Sequence, residues 1–74
     1  MMAYVNRRVF RVVENHFGIG ERFTVWDIKS KTATDARFPS AHQITKALIS
    51  CDRVQVVGHT GDARGAVNIY ERLS

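Results

Sequence analysis

The chain holds one cysteine, one proline and no long apolar run, and each scarcity excludes a class of protein. A lone cysteine closes no internal disulfide, and no paired Cys and His spacing accompanies it. Neither a disulfide framework nor a structural zinc centre is therefore expected to hold the fold. No segment reaches the roughly eighteen consecutive apolar residues of a transmembrane helix, so no membrane partner is expected. The arginine-rich start lacks the apolar h-region of a signal peptide, which makes a cytoplasmic, reducing setting the expectation. Internal repeats, low-complexity tracts and linkers are missing too, and residues 1–74 read as a single domain.

What is present suffices for a small core. Of the 74 residues, 45% are hydrophobic and 24% charged, a balance too apolar for a disordered tail. A domain of this length buries only roughly 60% of the surface its unfolded chain exposes, so its core is thin and must hold by apolar packing alone. Lys and Arg outnumber Asp and Glu by 11 to 7, giving a net charge of +4 and a pI near 9.8. That excess favours an anionic partner. It is concentrated early, since residues 1–37 carry seven basic and four acidic side chains against four and three in residues 38–74.

The periodicity predicts three helices and three extended segments. In AYVNRRVFRVVENHFG, residues Val5, Val9, Val12, Val13, His16 and Phe17 fall on one side at helical spacing, with Arg7, Arg8 and Arg11 on the other. A helix over about 3–17 follows, with Gly18 as its terminator. RFT is a short extended piece. Thr24 and Asp27 then make an N-cap signal ahead of VWDIKSK, a second helix burying Val25 or Trp26 with Ile28 and exposing Lys29 and Lys31. A turn over TATDA leads to SAHQITKALIS, in which Ser40 and Gln43 form the reciprocal capping pair. There Ile44, Ala47, Leu48 and Cys51 make the inner stripe and His42, Gln43, Lys46 and Ser50 the outer face. Val54 and Val56 alternate with Arg53 and Gln55, and Val67 and Ile69 with Asn68 and Tyr70, which predicts two strands. GHTGDARG between them has the composition of a hairpin tip.

This order, with ERFTVWDI leading a strand into the second helix and SAHQITKAL as the third, resembles the winged helix-turn-helix family over nearly the whole chain. The resemblance implies a mixed α/β (α+β) fold, a three-helix core backed by a small antiparallel sheet, with the terminal hairpin as the wing. The turn TATDARFP is longer than the three or four residues of a compact helix-turn-helix.

Catalysis is not expected. His16, His42 and His59 lie on three different elements, Cys51 sits on an apolar stripe with nothing cationic beside it, and no phosphate loop follows the glycines of the hairpin. No cofactor and no metal are implied. The resemblance instead implies double-stranded DNA binding, by a small transcriptional regulator or DNA-organising factor. In that reading helix 3 presents Ser40, His42, Gln43 and Lys46 to the major groove, where glutamine pairs with adenine and lysine reaches guanine or phosphate. Arg64 at the hairpin tip would meet the minor groove or a phosphate, and Arg7, Arg8, Arg11, Lys29 and Lys31 would clamp the backbone. Phe10, Phe17, Phe23, Trp26 and Phe38 are read as core. The alternative is a protein-docking module on the same scaffold, with Tyr4, Ile49 and Tyr70 as its exposed apolar patch or as the seam of a homodimer.

Overall fold

The computed structural model describes residues 4–62 and 65–74. The elements run α1 (Tyr4–His16), β1 (Arg22–Phe23), α2 (Val25–Lys31), α3 (Ala41–Ile49), β2 (Val54–Asp62) and β3 (Gly65–Arg72). They make a small mixed α+β domain of three helices and a three-stranded antiparallel sheet in the order β1-β3-β2.

The helix boundaries follow local chemistry. At α3 the Ser40 hydroxyl accepts from the Gln43 N–H at 3.3 Å, and Gln43 Oε1 accepts from the Ser40 N–H at 3.0 Å. At α2 the Asp27 carboxylate accepts from the Thr24 N–H at 2.8 Å, placing a negative charge at the positive end of the helix dipole. α1 is rich in β-branched valines, so packing must hold it. Beyond it the chain reverses in a turn that starts at Gly18, whose carbonyl accepts from the Glu21 N–H at 3.0 Å, and passes through Gly20, whose φ of +86° a side chain rarely adopts. That reversal brings the Gly20 N–H to the Arg72 carbonyl at 2.7 Å and so registers β1 against the end of β3.

The core gathers residues from every element: Val9, Phe10, Val13 and Phe17 from α1 and the residue beyond it, Phe23 from β1, Val25 and Ile28 from α2, Ile44, Ala47 and Leu48 from α3, Val54 from β2 and Tyr70 from β3. Phe17, Phe23 and Tyr70 stack in a column, with ring centroids 4.6 and 5.9 Å apart. Among the described residues no polar or charged residue is buried.

Several expectations are corrected. Tyr70 is buried, not part of an exposed patch, because it occupies the middle of the sheet with Phe23 on one side and Val56 on the other. Its hydroxyl accepts from Asn68 Nδ2 at 3.2 Å. Val56 is exposed instead, and the register shifts between Val56 and Gly58, leaving Val57 as a bulge. Residues 58–62 and Gly65, expected in the hairpin tip, belong to the paired strands, with Asp62 opposite Gly65. His16 faces solvent at the end of α1, whereas Arg8 and Lys29 are half-buried rather than fully outward. Cys51 lies half-buried just past α3. Arg64 and the side chain of Tyr4 lie outside the described residues.

Candidate functional site

Two surfaces carry the residues singled out by the sequence. The first is the outer face of α3, where His42, Gln43, Lys46 and Ile49 are exposed while Ile44, Ala47 and Leu48 are sealed in the core. A single helix with one fully buried stripe holds its opposite face rigidly outward. Ser40 and Gln43, expected to serve as readers, spend their polar groups on each other. The Gln43 carboxamide oxygen accepts from the Ser40 N–H and lies 3.4 Å from the Ser40 hydroxyl. Ser50, though exposed, is also engaged, accepting from Asn6 Nδ2 at 3.2 Å and donating to the Lys46 carbonyl at 3.0 Å. Outward and not engaged in a capping bond are His42, Lys46 and the large apolar side chain of Ile49, 62% exposed.

The second surface lies between α1, the end of α2 and the turn at residues 32–38. Arg7, Arg8, Arg11 and Lys31 line one concavity of about 550 Å³ there, together with Val12, Asn15, His16, Thr34, Asp35 and Phe38. Periodicity brings Arg7, Arg8 and Arg11 to one side of α1. The long turn brings the opposite wall, because Asp35 folds back on itself, accepting from the Arg37 N–H at 3.0 Å, and presents its other oxygen to Arg8 at 2.9 Å. Arg8 also donates to the Arg37 carbonyl at 3.0 Å and lies 5.2 Å from the centre of the Phe38 ring. It therefore fastens the turn to α1. Lys29 does not join this group, and its half-buried position on α2 is apart from the concavity.

Sequence reasoning missed two arginines that tie other parts of the chain to α1. Arg53 lies 5.1 Å from the Phe10 ring centre, and with Arg7 and Arg11 it lines a second, smaller hollow on the other flank of α1. Arg72 donates to the Phe17 carbonyl at 2.8 Å, a cation at the negative end of α1. Neither contact has a local signal, since each joins residues far apart in the chain. Among the described residues no cluster of His, Cys, Asp and Glu suits a metal ion, and no helix is long and apolar enough to cross a membrane. No protein-family model, curated protein or solved structure matches the chain.

Proposed function

We propose that this domain binds double-stranded DNA in the manner of a winged helix-turn-helix, with α3 entering the major groove and the β2–β3 hairpin lying along the backbone as a wing. The observation that carries the reading is the outer face of α3: a short helix anchored by three buried residues, with His42 and Lys46 outward, on a chain of net charge +4. The order of elements and the sheet order β1-β3-β2 support it. Lys46 and His42 would contact base edges, while Lys29, Arg37 ahead of α3 and Arg64 at the hairpin tip would contact phosphates. Regulation of transcription or organisation of DNA is the corresponding role.

The test is an amide chemical-shift map on adding a random-sequence duplex. Shifts concentrated over residues 41–50 and the hairpin are expected. If α3 stays unmoved, the reading fails, and the exposed Ile49 on the same face then favours the protein-docking alternative, for which a large apolar side chain amid polar ones is a suitable anchor.

A further inference from the structure

The concavity beside α1 has a charge that DNA binding through α3 and the hairpin does not use, although the resemblance assigns these cations to the DNA backbone. Arg7, Arg8, Arg11 and Lys31 line it against one carboxylate, Asp35, a formal charge of +3 in a chain whose total is +4. A solubility surface disperses its charges and intersperses both signs. Here like charges converge across a gap between two elements, and Arg8 is already fixed by Asp35 and the Arg37 carbonyl. Among the described residues the side chains of Arg7, Arg11 and Lys31 take part in no hydrogen bond or ion pair. Three exposed cations around one hollow repel one another, and an anion seated among them would relieve that repulsion, although Arg7 and Arg11 also border Glu14 and Asp52 in the neighbouring hollow.

We infer that this concavity is a binding site for a small organic phosphate, a diphosphate group carried on a body of nucleotide size. Its volume of about 550 Å³ lies within the range of small-molecule sites, roughly 300–1,000 Å³. Guanidinium groups match phosphate oxygens bidentately, and Lys31 adds a point charge. Val12 and Phe38 give the hollow an apolar side against which the body of the ligand packs. A duplex backbone is convex and would meet the rim of such a hollow rather than fill it. The inference does not depend on the DNA reading.

The probes are ADP and inorganic pyrophosphate, titrated into the full chain at fixed ionic strength and followed by amide chemical shifts and calorimetry. Saturable shifts over residues 7–16 and 31–38 are expected, with residues 42–49 unmoved and ADP binding more tightly than pyrophosphate. Arg11→Ala and Lys31→Ala should each weaken ADP binding about tenfold, the share of one charge-assisted hydrogen bond. Arg53→Ala, a cation on the other flank of α1, should leave it unchanged. Equal losses in all three variants would reduce the effect to general electrostatics and overturn the site, as would equal affinities for the two probes. If a random duplex shifts residues 7–16 and ADP does not, these cations clamp DNA and the inference fails. If the duplex shifts only α3 while ADP is silent, the inference fails and the DNA reading stands.

Discussion

Gln43 is offered two occupations that exclude each other, and substitution separates them. Bidentate pairing with adenine uses both the carbonyl oxygen and the amide N–H₂ of glutamine, yet the oxygen accepts from the Ser40 N–H at 3.0 Å. A reading Gln43 must first uncap α3. The cap is worth estimating: one net hydrogen bond contributes about 0.5–1.5 kcal/mol, and loss of an N-cap serine costs about 0.5–2 kcal/mol. Both groups are exposed, so the lower halves of these ranges apply. Gln43→Ala should cost about 0.5–1 kcal/mol and Ser40→Ala about 1 kcal/mol. The double variant should lose less than the sum, because the two bonds close one ring. At roughly 4–8 °C per kcal/mol for a domain of this size, each single change is resolved by thermal unfolding followed by circular dichroism. Gln43→Glu keeps the box and adds a carboxylate at the helix N-terminus, so its melting temperature should hold or rise. It retains no N–H₂ donor. If Gln43 is a cap, Gln43→Glu weakens binding to a selected duplex and to a scrambled one by the same factor. A melting temperature unchanged in Gln43→Ala, or a loss in Gln43→Glu confined to the selected duplex, would refute the capping assignment.

Three further outcomes are expected. Leu48→Ala, at a side chain only 2% exposed, should cost about 2–5 kcal/mol in urea unfolding, while Lys46→Ala should stay within about 0.5 kcal/mol and instead lower affinity for a preferred duplex. Gly20→Ala should cost roughly 1–2 kcal/mol from backbone conformation alone, since φ is +86° and a Cβ there would meet nothing within 4 Å, whereas Gly18→Ala should be close to neutral. Duplex binding through Lys46, Lys29, Arg37 and Arg64 should give log K against log salt a slope of roughly −3 to −4, unchanged in Arg11→Ala; a slope that flattens by about one in that variant would place the α1 arginines on the DNA.

The parts of this fold that were legible in the sequence are those written within one turn of chain. The Thr24–Asp27 and Ser40–Gln43 pairs set where α2 and α3 begin, and the 3.6-residue stripe of α3 gave its buried side. The sheet was less legible, because strand faces depend on a parity that one extra residue resets. Val54 and Val56 alternate faultlessly in sequence, but Val56 ends exposed at the bulge while Tyr70, across from it, fills the core. Glycine misled in the hairpin too. Gly58 and Gly61 suggested a wide tip, yet both sit in the ladder, opposite Ile69 and Ala66. The tie from Arg8 to Asp35 joins residues 27 apart, with no spacing rule to announce it.

That tie alters how the charge of the chain should be interpreted. A net +4 counts every cation alike, but Arg8 is held by Asp35, Arg22 by Glu71 at 3.1 Å, Arg72 by the end of α1, and Arg53 lies over Phe10. These four build the domain: they join α1 to the turn, β1 to β3, the last strand to the first helix, and the approach to β2 to α1. Of the cations not used in this way, Arg7, Arg11 and Lys31 share one concavity and Lys46 lies on the outer face of α3. The same fold that consumes some of its arginines as fasteners positions the rest, since Arg8, in binding Asp35, draws the turn against α1 and so creates the wall that Arg7, Arg11 and Lys31 face. Asp35→Ala should on this account leave the helices formed but loosen the turn, costing under about 1 kcal/mol for so exposed a pair. Although it raises the positive charge of the concavity, it should weaken rather than strengthen ADP binding. Tighter binding in Asp35→Ala would mean that the charge count alone governs the site and that the fixed geometry of Arg8 contributes nothing.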